Sequence, residues 1–243
     1  MLNILSIDWD YFINADSNER VMKFPDIPNE NYPLFLQNTI WVSRYSNDPN
    51  ILDISYNPVI WDIVQSFKSL PFVVICDSHK WIYSYINQLQ MKQHKKDKIN
   101  LLNVDFHSDY RLPKTELDCG NWLNYVMDKY KGQYRWLGWN DSFLDKLPKQ
   151  LKFIIDINSV LSDIKSTKWD LVFVCRSSMW SPPHLDSVFT DIFYPLTLSS
   201  KKVVAEDAVW QSRYSTEMKE NISKMSEVIS QFYSKNKKRR EAV

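Results

Sequence analysis

Asp105, His107 and Asp109 stand at every second position where the apolar run Ile99-Asn-Leu-Leu-Asn-Val104 gives out. Alternation along a strand puts positions i, i+2 and i+4 on one face, so these three side chains, all metal-ligand types, could converge. In open α/β sheets the reactive crevice lies outside the carboxyl ends of the strands, which is where such a triplet would emerge. Two further apolar runs end in the same chemistry. Leu2-Asn-Ile-Leu-Ser-Ile7 closes on Asp8 and Asp10, and Pro71-Phe-Val-Val-Ile-Cys76 on Asp77 and His79. An Asp at a strand exit often only caps a turn, and a lone histidine is more often structural. Three strand ends of one kind argue instead for a shared site.

Pooled, the set is Asp8, Asp10, His79, Asp105, His107 and Asp109, four carboxylates and two imidazoles. That is too many ligands for one closed zinc site, which is four-coordinate and usually rich in Cys. Carboxylate-dominated sites suit Mg or Mn, and imidazole also admits Zn, Fe, Ni or Co. Bridging carboxylates would let six residues hold two ions about 3.5–4 Å apart, the spacing of two-metal hydrolases. The expectation is a binuclear centre of two divalent ions, with Mn2+ favoured. Four carboxylates buried together without cations would repel one another, so the ions should also hold the site together.

Those ligands need a scaffold. Apolar runs fall near residues 3–7, 71–76, 100–105, 134–138, 152–156 and 170–175, with helical patterns between several of them, at 78–93, 121–130 and after Pro182-Pro183. Strands alternating with helices predict a three-layer α/β/α fold with a mainly parallel central sheet. Met218, Ile222, Met225, Val228, Ile229 and Phe232 recur at three- and four-residue intervals, which predicts an amphipathic closing helix over 216–233. Residues 14–50, rich in Asn, Pro and aromatics with little periodicity, are expected to wrap the site as a long loop or lid. The chain of 243 residues is long enough for one substantial core, read as a single domain over 1–234, and the basic run 235–243 reads as a solvated, disordered tail. His94 is expected on the surface, and His184 at a helix start.

Composition narrows the partners. Lys plus Arg number 30 against 29 acidic residues, a net charge of +1, so no global field draws nucleic acid or an anionic membrane. Cys76, Cys119 and Cys175 are odd in number and widely spaced, which suits reduced thiols in a cytoplasmic protein. No apolar stretch approaches the roughly 18 residues of a membrane span.

Asp105-Phe-His107-Ser-Asp109 resembles the Asp-x-His-x-Asp signature of the arginase and ureohydrolase superfamily, and Ser6-Ile-Asp8-Trp-Asp10 is similar to its Ser-x-Asp-x-Asp signature. His79 matches the lone upstream histidine. With Ile4-Leu-Ser-Ile-Asp-Trp-Asp-Tyr-Phe12, Gly120-Asn-Trp-Leu123 and Val174-Cys-Arg-Ser-Ser178, the resemblance is to the group containing the peptide arginases of ribosomal-peptide biosynthesis. Three departures stand out. The Ser-x-Asp-x-Asp segment precedes the Asp-x-His-x-Asp segment, which implies an arginase-like sheet with permuted strand order; the later strand end Asp156-Ile-Asn158 competes for that role with one carboxylate and an amide. Leu123 stands where ordinary arginases have a histidine proton shuttle, for which His184 is a conceivable replacement. Arg176 stands where they present a glutamate to the substrate guanidinium.

The resemblance implies that His79, Asp105, Asp109 and Asp8 hold one ion and His107, Asp105, Asp8 and Asp10 the other. Asp105 and Asp8 would bridge, and Asp109 would pass a proton to the leaving amine. The implied reaction turns arginine into ornithine and urea. A guanidinium needs a planar carboxylate partner, for which Asp77, Glu116, Glu206 and Asp207 are candidates, and Asn121 and Trp122 are candidates for the rest of the substrate site. The 10 Trp, among them Trp122, Trp136, Trp139, Trp180 and Trp210, could line a groove for an arginine-containing peptide. Alternatives are a metallohydrolase of another small guanidine or amide and a non-catalytic, metal-stabilised peptide-binding module.

Overall fold

Seven strands form the sheet: β1 (Leu2–Asp8), β2 (Val73–Cys76), β3 (Lys98–Val104), β4 (Lys131–Leu137), β5 (Leu151–Ile154), β6 (Leu171–Cys175) and β7 (Val203–Ala205). In the computed structural model, which describes residues 1–26, 29–67, 70–93, 98–112, 115–139 and 147–241, they lie side by side in the order β5-β4-β3-β1-β6-β2-β7. Every pairing is parallel. A parallel sheet is covered on both faces, so its strands read as near-continuous apolar runs; β1, β2, β3 and β6, the strands that carry the chemistry, are the ones written that way. The sequence gives no signal for β7, which is only three residues long.

The helices are α1 (Ser17–Lys23), α2 (Leu34–Asn47), α3 (Val59–Gln65), α4 (Trp81–Gln93), α5 (Trp122–Lys129), α6 (Asn158–Ser166), α7 (Asp186–Ser199) and α8 (Thr216–Glu241). Alternation along the strands divides their side chains between two cores. Leu2, Ile4, Val74, Leu101 and Phe173 pack with Ile82 and Ile86 of α4 and Trp122 and Val126 of α5. Leu5, Ile7, Val73, Ile75, Leu102 and Val174 pack on the opposite face with residues of α2, α3, α6, α7 and α8. The result is the three-layer α/β/α architecture expected from the sequence.

Two expectations need correction. Residues 14–50, expected as a long loop or lid, are largely helical where described, although some of them do line the cleft. Asp16 and Glu19 form a reciprocal capping box that starts α1, and α2 turns Trp41, Val42 and Tyr45 into the core, with the Trp41 indole N–H donating to the Ser178 carbonyl at 3.0 Å. Its pattern escapes periodicity because Gln37 and Ser46 are buried beside the aromatics. Part of the segment does border the site, as described below. Nor does helical backbone stop before the basic run: α8 continues through Glu241, since Lys and Arg are good helix formers and the run contains neither Gly nor Pro. His94 lies outside the described residues. Among the described residues no helix is long and apolar enough to cross a membrane.

Trp41→Ala should lower the unfolding free energy by about 3–5 kcal/mol, read as a shift of the urea midpoint. A residue on a loose lid would leave the midpoint almost unmoved.

Candidate metal centre

Four neighbouring strands, β3, β1, β6 and β2, present their carboxyl ends side by side, and the turns that follow them build one cluster. Asp8 ends β1 on the face that carries Leu2 and Ile4, and Asp105 follows β3 on the face that carries Ile99 and Leu101, so register brings both above the core covered by α4 and α5. His79 enters from the turn before α4. Its ring stacks on Phe173 at 5.6 Å, with Trp122 5.0 Å away, and its Nε2 is 2.6 Å from the Ser6 hydroxyl.

That leaves His79 Nδ1 pointing at three carboxylates: Asp8 Oδ2 at 3.1 Å, Asp105 Oδ2 at 3.1 Å and Asp109 Oδ2 at 3.0 Å. Nδ1 nevertheless has no hydrogen-bond partner of acceptable geometry. One ring nitrogen fixed by a hydroxyl, with the other directed among carboxylate oxygens, is the arrangement of a metal-ligating histidine. On the other side of Asp105, His107 Nδ1 lies 3.1 Å from Asp10 Oδ2 and 3.9 Å from Asp105 Oδ1. Two groups, Asp8–His79–Asp105 and Asp10–Asp105–His107, each bring their ligand atoms within 4.8 Å of one another. They share Asp105. Hard oxygen donors with one imidazole apiece fit divalent cations.

The sequence placed His107 and Asp109 on an extended strand, but β3 stops at Val104. Asp109 adopts φ 52°, a left-handed conformation rare for a residue with a side chain, and this turn sends its carboxylate to His79 while His107 goes to Asp10. These side chains converge through a turn and divide between two Asp/His groups, either of which could hold a metal ion. Backbone N–H groups hold the carboxylates: Asp10 N donates to Asp8, Phe106 N to Asp10 and His107 N to Asp105. The Trp122 indole N–H donates to Asp109, and the Asn103 amide to Asp105.

The electrostatics follow from the crowding. Burial, then repulsion from Asp10 and Asp105, pushes the Asp8 carboxyl up to about 7. Burial and the nearby Asp109 push Asp105 up to about 8. Burial also acts on Asp10, but His107, Arg20 and the Phe106 N–H outweigh it and hold that carboxyl below its ordinary value. Desolvation disfavours both charged imidazoles, the buried His79 and the half-exposed His107, yet the surrounding carboxylates prevail, lifting His79 well above its usual range and His107 to about 9.

The cluster floors a cleft of about 910 Å³. Arg20 and Glu30, which the sequence reading did not single out, belong to it because α1 and the residues before α2 fold across the strand ends. Arg20 stacks 3.8 Å over Phe106, donates to the Asp10, Ala15 and Ile13 carbonyls, and sits 3.7 Å from Asp10 Oδ2. Glu30 accepts from the Ser78 hydroxyl and, at 3.2 Å, from Cys119 N. Neither lay in a periodic or motif-bearing stretch. Ser177 also lines the cleft, from the end of β6.

Several anticipated roles do not hold in this geometry. Asp77 shares its parity with Val73 and Ile75, so it turns to the face opposite Asp8 and Asp105, where both of its oxygens receive the Arg176 guanidinium at 3.1 and 3.2 Å. It already has its guanidinium. Glu206 accepts from Asp77 N at 3.0 Å and, like the exposed Glu116 and Asp207, does not line the cleft. Asn121 is fully buried, its amide tying down Thr115, Glu116 and Asp118. Trp122 is equally buried, and its indole N–H donates to Asp109. Asp156 caps the turn into α6 through Asn158 N. His184 spends both ring nitrogens on Tyr45 and the Ile54 carbonyl, away from the cluster. Of the five tryptophans named from sequence, Trp180 lines the cleft, 6.3 Å from the His107 ring.

The cysteines are free, and Cys76 and Cys175 are buried. Comparisons of the chain with protein-family models, curated proteins and solved structures find no match.

The raised carboxyls set a pH dependence for the metal-free protein. The folded state keeps protons on Asp8 and Asp105 that an unfolded chain releases above about pH 4, so their penalty grows as pH rises towards 7 and 8. His107, raised from 6.5 to about 9, contributes stability below 6.5 that is lost as pH climbs through 9. All three act in one direction: the melting temperature of the metal-free protein should fall between about pH 6 and pH 9, and added Mn2+ should raise it more at the upper end. A Mn2+ shift independent of pH would contradict this.

Proposed function

We propose that this chain is a binuclear, manganese-dependent hydrolase that converts arginine residues of a peptide to ornithine with release of urea, in the cytoplasmic maturation of a ribosomally made peptide. The observation that carries the reading is the pair of Asp/His groups sharing Asp105 at the floor of a cleft, with His79 Nδ1 directed among three carboxylates. It is supported by the agreement of six ligand positions with the arginase-like signatures. The cleft, about 910 Å³, is larger than one amino acid requires, and exposed Val21 and Leu112 with Trp180 give its walls apolar surface for neighbouring peptide residues.

When bound, the divalent ions supply Lewis acidity that activates water at neutral pH. In this reading Asp109, which accepts from the Trp122 indole and lines the cleft, takes a proton from the attacking water and returns it to the departing amine. Water adds to the guanidinium carbon, the bond from that carbon to the side-chain Nε breaks, and Nε leaves as the ornithine amine. Glu30 is the carboxylate best suited to receive the guanidinium fork. Of the other acids in the cleft outside the ligand set, Asp26 pairs with Arg44 and Asp118 with Arg111. Glu30 is held by a hydroxyl and a backbone N–H, and its ion pair with Lys80, at 3.7 Å, is longer than those of Asp26 and Asp118.

Incubation of the Mn2+-loaded protein with arginine-containing peptides should remove about 42 Da per arginine, the difference between arginine and ornithine, with matching urea, in a metal-assisted hydrolysis. Glu30→Gln should raise KM with less effect on kcat. Turnover of free guanidines or amides with unchanged peptides would favour a different metallohydrolase, and metal uptake with no hydrolysis a binding module.

A further inference from the structure

Asp109 and Ser177 are the two non-glycine residues with positive φ among the described residues, each at 52°. Asp109 belongs to the ligand set, and its conformation aims a carboxylate. Ser177 is no ligand, yet it bears the same backbone cost.

We infer that Ser177 is a positioning residue for Asp8, held in its unfavourable conformation so that its hydroxyl fixes a metal-ligand oxygen. The inference rests on the metal-centre reading above. Ser177 Oγ donates to Asp8 Oδ2 at 2.6 Å, and this is the oxygen that faces His79 Nδ1 at 3.1 Å. A hydroxyl bonded to a ligand oxygen sets the carboxylate's rotation and takes up one of its lone pairs, which leaves the other for a cation.

The residues on either side of Ser177 are each tied down by several hydrogen bonds. Arg176 N donates to the Cys76 carbonyl at 2.9 Å, and its guanidinium, fully buried, grips Asp77 and three carbonyls of the 208–211 turn. Ser178 N donates to Asp77 at 3.2 Å, while the Ser178 carbonyl accepts from the Trp41 indole and from Arg213, itself paired with Asp186. The Ser181 hydroxyl bonds the carbonyls of both Arg176 and Ser177. Arg176, at the strand end that the resemblance would give to a substrate-binding acid, thus acts through its neighbour: the Arg176–Asp77 pair over-determines the backbone at 176 and 178 and so presents the hydroxyl at 177.

Glycine adopts positive φ without cost, so Ser177→Gly removes the hydroxyl while relaxing the backbone, and Ser177→Ala removes the hydroxyl alone. Metal-free protein would be titrated with Mn2+ by calorimetry, with melting temperature followed in parallel. Both variants should bind at least one ion about 10–100-fold more weakly than the parent, although Ser177→Gly melts no lower than the parent without metal. Parent-like Mn2+ affinity in Ser177→Gly, with a raised melting temperature, would overturn the inference, because the conformation would then serve the chain trace and not the ligand. If the parent takes up no Mn2+, the underlying metal reading falls and this inference with it.

Discussion

Mutual repulsion among four carboxylates enclosed at the end of one sheet is the constraint on which the rest of the structure depends. Asp8, Asp10, Asp105 and Asp109 are each 5% exposed or less, so solvent cannot separate their charges. The protein answers partly with its own groups: backbone N–H donors on three of them, Arg20 beside Asp10, and two imidazoles. These do not suffice, since Asp8 and Asp105 still hold protons near neutral pH. His79 Nδ1 faces three carboxylate oxygens without a hydrogen bond of acceptable geometry, and the two Asp/His groups there could hold a divalent cation in place of those protons.

The fold places that constraint where it is useful. Parallel strands carry their carboxyl ends to the same edge, and the order β3-β1-β6-β2 makes neighbours of segments far apart in the chain. Parity then sorts them. Asp8 and Asp105 rise on the α4/α5 face and meet His79, whereas Asp77 and Arg176 rise on the other and neutralise each other as a bidentate pair. That second pair, joined by Arg213 and Asp186, forms a rigid base under the β6 turn, and the ligand cluster stands against it.

The Asp and His residues of the cluster were legible because each follows a run of buried β residues, a pattern that a single sequence displays directly. The central strands were legible for the same reason. Asp77 misled because its parity matters only relative to neighbouring strands, and register between strands is not written in any one of them. Asp109 and His107 were placed on a strand because alternation extends on paper beyond Val104; the left-handed turn at Asp109 has no glycine to announce it. Arg20 and Glu30 were missed because α1 is short and α2 buries Gln37 and Ser46 among its aromatics, which erases the helical stripe that would have shown residues 14–50 to be built into the molecule.

The central claim is that this cluster holds two divalent ions in contact through a shared carboxylate. Electron paramagnetic resonance during Mn2+ titration of the metal-free protein tests it most directly, because ions about 3.5–4 Å apart couple their spins. The account predicts saturation at two ions per chain with a coupled signal of narrowed hyperfine spacing. One ion per chain, or two with the spectrum of isolated Mn2+, would contradict it.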